Sequence, residues 1–159
     1  MNNRNEPRPP SSRVLNILLA DDDEDDRLLF EEALKELPMN IKLTSVVNGT
    51  QLMERLTQQK TKVPDVLFLD LNMPGKNGFA CLKEIKLNSR FERLPVFIFS
   101  TAFDEDMLNL VYKDAAHYYI RKPAEFSQLK NVVLKALTLV LQKKTTLPLK
   151  QDFVLTGDL

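Results

Sequence analysis

Residues 66–70 read Val66-Leu67-Phe68-Leu69-Asp70, an unbroken apolar run that ends on a carboxylate. A strand with one wet face alternates apolar and polar side chains. One covered on both faces does not, so this run reads as a central strand of a parallel sheet. Val96 to Phe99 repeats the pattern. Outward from these two, short apolar runs at Val14 to Leu19, Ile41 to Val47 and His117 to Ile120 complete a set of five strands. Amphipathic segments near Glu24 to Leu37, Thr50 to Gln59, Gly78 to Leu87 and Asp104 to Tyr112 lie between and after them, and a last one begins near Phe126. Phe30, Ala33, Leu34 and Leu37, and later Phe126, Leu129, Val133, Ala136, Leu137 and Val140, keep the three/four spacing of a one-sided helical stripe. Five strands alternating with five helices imply an α/β fold on a parallel sheet.

The chain has 159 residues, enough for one domain with tails. Its 22 basic and 22 acidic residues balance, so no overall field draws it to nucleic acid or an anionic membrane, and neither is expected as a partner. The single cysteine, Cys81, has no partner for an internal disulfide and reads as a packed helix position. No apolar stretch has the character of a signal peptide or a membrane span, which makes the cytoplasm the expected compartment. Residues 1–13 carry three prolines and nothing apolar after Met1, and are expected to form a disordered tail. Residues 14–143 form the domain, and 144–159, with Pro148, Gly157 and the small apolar group Phe153-Val154-Leu155, a C-terminal tail.

Four polar features follow the strands: Asp21-Asp22-Asp23, Asp70, Ser100-Thr101 and Lys122-Pro123. In an open α/β sheet the carboxyl ends of the strands share one edge, and ligands bind there where the strand order reverses. Carboxylates crowded into one crevice repel, and protonation or a bound cation relieves them. Hard oxygen donors with room for water suit Mg²⁺. A lysine opposite and a small hydroxyl complete a set that stabilises charge on a transferring phosphoryl group, with an aspartate as covalent acceptor. Taken singly, each feature has a plainer reading. The acidic run would complement a helix dipole, Lys122-Pro123 a surface turn, and Ser100-Thr101 a helix cap. His117, the only histidine, lies beside a buried strand and reads as structural.

With these residues in order, the sequence resembles the receiver family of two-component signalling. The motifs are Ile17-Leu18-Leu19-Ala20-Asp21-Asp22-Asp23, Leu67-Phe68-Leu69-Asp70-Leu71-Asn72-Met73-Pro74 with Gly78, Pro95-Val96-Phe97-Ile98-Phe99-Ser100, and Tyr118-Tyr119-Ile120-Arg121-Lys122-Pro123. The resemblance spans residues 14–143 and implies a flavodoxin-like, doubly wound (βα)5 fold with a five-stranded parallel sheet in the order 2-1-3-4-5. It implies that Asp70 accepts the phosphoryl group, that Asp22, Asp70 and the backbone carbonyl of Asn72 ligate Mg²⁺, and that Asp21 helps through a metal-bound water. Lys122 would pair with the acceptor and Ser100 would hydrogen-bond a phosphoryl oxygen. Tyr119 would be the aromatic switch, and Pro123 would follow a cis peptide bond. The donor would be a sensor histidine kinase or a phosphotransfer protein. The signal would leave through the face of the fourth helix, fifth strand and fifth helix toward a downstream protein or a second copy. Thr145-Thr146-Leu147-Pro148 is similar to the single-domain regulators paired with phytochrome-type kinases, some of which dimerise. Asn77, where many relatives carry Asp, and Ala115-Ala116, in place of glycine-alanine, depart from the pattern. Ala102 offers no polar side chain to orient an attacking water, which implies slow hydrolysis.

Three other classes match parts of the sequence. A haloacid dehalogenase-type phosphatase would use Asp21-x-Asp23, but its later acidic motif and cap are missing. An EF-hand would use Asp21, Asp23, Asp25 and Glu32, but Asp26 stands where the loop needs glycine. A pseudo-receiver, binding partners without phosphorylation, would not need the acceptor set that is present.

Overall fold

A computed structural model describes residues 13–58, 60–142 and 146–158; the expected disordered tail, apart from Arg13, lies outside them. The strands are β1 (Val14–Ala20), β2 (Asn40–Val46), β3 (Val66–Leu69), β4 (Val96–Ser100), β5 (Tyr118–Arg121) and β6 (Val154–Leu155). The helices are α1 (Glu24–Lys35), α2 (Gly49–Thr57), α3 (Gly78–Leu87), α4 (Glu105–Lys113) and α5 (Phe126–Leu141). All strand pairs are parallel, in the order β2-β1-β3-β4-β5-β6. The expected order 2-1-3-4-5 is therefore present, extended by one short strand.

Alternate residues of β3 enter opposite cores, which is why its sequence shows no polar alternation. Val66 and Phe68 face α1 and α5, where they join Phe30, Ala33, Leu34, Leu129, Val133 and Leu137. Leu67 and Leu69 face the other layer, with Leu52, Leu56, Leu82, Ile85 and Val111. Phe30 meets the edges of Phe68 and Phe99 at 5.0 and 5.5 Å, which sets α1 firmly on the sheet. Side-chain caps start the helices: Asp23, Asn48, Asn77 and Asp104 each accept a backbone N–H three residues on. Asn77, a departure from the resembled pattern, thus still caps α3. Ala115 takes a left-handed φ of 65°, the conformation for which glycine is the natural residue, at a cost of about 1 kcal/mol.

The sixth strand comes from the expected C-terminal tail. Tyr119 N donates to Phe153 O at 2.9 Å, and Phe153 is buried against Tyr112 and Tyr119. Farther on, Lys135 Nζ donates to Thr156 O at 2.8 Å, so α5 also holds the segment. A two-residue strand carries too little periodicity to be read from sequence. The burial of Phe153, not strand propensity, secures it.

His117 is structural. It is 5% exposed, and its Nδ1 accepts the Val96 N–H at 3.2 Å, which only the neutral ring can do. Burial, aided by the charge of Lys86, pushes its pKa down to about 4. An unfolded chain binds the proton near 6.5. Between these values the unfolded state holds more protons, so stability falls as pH drops from about 6.5 to 4, by up to about 3 kcal/mol, and is unaffected above. The single imidazole should titrate near pH 4 by NMR, and His117→Gln should lose less stability over that interval. A midpoint near 6.5 would contradict this placement.

Candidate functional site

Backbone hydrogen bonds at the strand ends place the polar residues on one edge. Asp21 N donates to Val46 O at 3.1 Å, Asp70 N to Ala20 O at 3.0 Å and Lys122 N to Ser100 O at 2.9 Å. Each residue just past a strand is thus tied to its neighbour, and residues up to a hundred positions apart converge where the order reverses between β1 and β3.

Lys122 is the centre of the cluster. Its Nζ lies 2.8 Å from Asp21 Oδ2, 2.8 Å from Asp26 Oδ2 and 3.0 Å from Asp70 Oδ2, and 5.6 Å from the centre of the Phe99 ring. Burial works against its charge, but the close contacts with Asp21 and Asp26 and the charges of Asp70 and Asp21 outweigh it, holding the ammonium above its ordinary pKa. Asp21 is fully buried, and burial pushes its pKa up to about 6 against the opposing pull of Lys122 and the Asp23 N–H. Its Oδ2 touches the ammonium without hydrogen-bond alignment and has no other partner. Asp70 Oδ1 accepts the Asn72 N–H at 3.1 Å, which orients the carboxylate and curls the following loop.

Carboxylate oxygens of Asp21, Asp22 and Asp70 lie within 4.8 Å of one another. Opposite ligands of Mg²⁺ span about 4.2 Å, so a small contraction brings this donor set around a hard cation. The oxygen-only chemistry and the unsatisfied Asp21 Oδ2 both fit such an ion.

Ser100 is buried and its Oγ accepts the Ala102 N–H at 3.3 Å. Tyr119 is buried on β5 with its hydroxyl donating to Ala102 O, and burial raises its pKa to about 12. The two expected switch residues therefore meet at one loop. All the expected side chains, Asp21, Asp22, Asp70, Ser100, Tyr119 and Lys122, stand on this edge. Asp26 was missed as a partner of Lys122: as one acid in the first turn of α1 it read as a dipole complement, and a contact with a residue 96 positions away leaves no local signal. The expected cis bond before Pro123 is a correction. No peptide bond among the described residues is cis. Lys122 is aimed instead by its backbone bond to Ser100 and by its three carboxylates.

Gly78 secures Asp70 from behind. A Cβ there would lie 2.2 Å from Asp70 O and 2.7 Å from Leu71 Cα, both backbone atoms that cannot yield without moving Asp70. Gly78→Ala should therefore cost about 2 kcal/mol in denaturant unfolding and shift the Asp70 to Asn72 amide signals. Wild-type stability with unchanged signals would show that the backbone yields freely.

Comparison with known proteins places these residues in a family. A profile of the response regulator receiver domain matches residues 17–134. The response regulator Rcp1 of Synechocystis is 32% identical over 121 residues, covering 74% of this chain and 82% of that protein. The transcriptional regulator NtrC of Klebsiella pneumoniae is 34% identical over 120 residues, covering 76% of this chain and 24% of NtrC, so the chain spans about a quarter of that relative. Among solved structures, Mn²⁺-bound Rcp1 superposes with a TM-score of 0.74 at 31% identity, covering 85% of this chain and 99% of that one. The phosphorylated cyanobacterial phytochrome response regulator RcpA gives 0.75 at 32% identity, covering 86% and 100%. The chain belongs to the response regulator receiver domain family.

Proposed function

We propose that this chain accepts a phosphoryl group on Asp70 from a histidine kinase or phosphotransfer protein, with Mg²⁺, and thereby switches the binding of a partner through the α4-β5-α5 face. The observation that carries the reading is the pairing of the Asp70 carboxylate with Lys122 at 3.0 Å inside a cluster of carboxylates with too few cations to balance them. It is supported by the similar solved structures of a phosphorylated regulator, RcpA, and a metal-bound one, Rcp1.

In the reaction an Asp70 oxygen attacks the phosphorus of a phosphohistidine. The new P–O bond forms as the P–N bond breaks, and the imidazole leaves with the electron pair and takes up a proton. Asp22, Asp70 and the Asn72 carbonyl would hold Mg²⁺, with Asp21 reaching it through a water. When bound, the ion neutralises charge between the phosphoryl oxygens and the carboxylates. Lys122, whose Nζ lies 3.0 Å from Asp70 Oδ2, meets the developing charge. Ser100 turns its Oγ from the Ala102 N–H to a phosphoryl oxygen, and the loop it leaves is the one that Tyr119 grips. Ala102 supplies no polar side chain to orient a water, so hydrolysis of the acyl phosphate is slow. The output face differs from the simple form of the resemblance, because β6 occupies the outer edge of β5. A partner that reads this face meets the C-terminal strand as well.

Asp70→Asn should keep the fold and lose all labelling by acetyl phosphate, since only the nucleophile is gone. Full stoichiometric label in this variant would refute Asp70 as acceptor. Asp22→Ala should weaken Mg²⁺ binding by roughly tenfold or more, read by amide shifts on Mg²⁺ titration. An unchanged titration would remove Asp22 from the ligand set.

A further inference from the structure

We infer that Asp26 is a positioning residue that holds the Lys122 ammonium in the resting protein and is displaced when the phosphoryl group arrives, so that it limits how tightly the site takes that group. The inference rests on Asp70 being the acceptor.

An ammonium has three protons to give. Lys122 donates two of them, to Asp26 Oδ2 at 2.8 Å and Asp70 Oδ2 at 3.0 Å, while Asp21 Oδ2 at 2.8 Å, in ionic contact, and the Phe99 ring crowd its remaining side. No open side of the ammonium is left for a further anion. Phosphorylation of Asp70 adds up to about two negative charges, and Lys122 is the only ion-pair partner of Asp70 among the described residues. To meet the new oxygens, Lys122 must give up an existing contact.

The three partners are not equally easy to release. The Asp21 side chain is fully buried, and stripping the ammonium from it would leave a bare charge without water. Asp70 is itself the modified group. The Asp26 side chain is 31% exposed, in the first turn of α1, where water and the helix N-terminus both support a free carboxylate. Asp26 is therefore the contact that yields. Until it yields it competes with the phosphoryl group for the same ammonium, and afterwards its charge stands close to a dianion. Both effects oppose phosphorylation, and removal of the charge relieves both.

The test uses the full chain with Mg²⁺ and beryllofluoride as the phosphoryl mimic, with affinity read from amide signals. Asp26→Asn should bind about three- to tenfold more tightly than the wild type, the range of a charge-assisted hydrogen bond reduced by partial exposure. Asp26→Ser supplies a second uncharged side chain should the asparagine variant misfold. Asp26→Glu, which keeps the charge within reach of Lys122, should stay near wild type. Asp25→Asn removes the same charge from the same helical turn at an exposed position without contact to Lys122, and should change affinity less than twofold. In a Lys122→Gln background Asp26→Asn should tighten binding by clearly less than in the wild type, because the competition for the ammonium is gone and only the direct repulsion remains. Unchanged or weaker binding in Asp26→Asn, equal tightening in Asp25→Asn, or tightening of full size without Lys122 would overturn the inference. A wild-type protein that takes no beryllofluoride at all would instead overturn the acceptor assignment and this inference with it.

Discussion

A single ammonium, Lys122, is asked to balance the carboxylates of Asp21, Asp26 and Asp70 in a largely buried crevice. Such an arrangement is poor as a stabilising device. Desolvating an ion pair costs several kcal/mol per charge, and one cation cannot satisfy three anions. The excess of negative charge is left standing, with Asp21 pushed toward protonation and one of its oxygens without a hydrogen bond. An apolar core of the same volume would fold more easily. What the arrangement provides is an uncompensated negative charge that would suit a bound cation, at a place where the surrounding protein is already ordered.

That order comes from the sheet. The two apolar layers on either side of β3 fix the strands in register, and the register brings the residue after each strand to the same edge. Gly78 then lets α3 pack directly on the Asp70 carbonyl, and Asn77 caps the helix that begins there. Asp70 is thus held on the strand side by Ala20 and on the helix side by the close approach of Gly78. Its rigidity is a consequence of packing, and the chemistry inherits it.

The fold was legible because its central strands, Val66–Leu69 and Val96–Ser100, are buried on both faces and say so in their composition. The expected site side chains were legible because a parallel sheet gives strand ends a common destination. Two features were not. Asp26 lies in a run of acids where any member complements the α1 dipole equally well, and only the three-dimensional path of β5 singles it out. The sixth strand has two residues and follows a stretch with Pro148, so nothing local marks it as part of the sheet. Its place depends on Phe153 finding Tyr112 and Tyr119, a long-range aromatic contact that periodicity does not encode.

The same contact bears on how the proposed switch would operate. Tyr119 is enclosed on several sides at once: its hydroxyl is bonded to Ala102 O, Phe103 meets its ring edge-on at 5.9 Å, and Phe153 lies 6.4 Å away. A five-stranded sheet would leave the outer edge of β5 open to water, and a rotation of the ring would then disturb little. Here any large movement of Tyr119 also disturbs the strand that its own backbone N–H secures through Phe153 O. Each 1.4 kcal/mol of packing lost in that movement lowers the population of the moved state tenfold. The proposed phosphoryl contact at Ser100 would therefore have to outweigh the packing of the C-terminal segment, and a signal strong enough to move Tyr119 would be carried into β6 as well. In the proposed switch the α4-β5-α5 face and the C-terminal strand would respond as one unit.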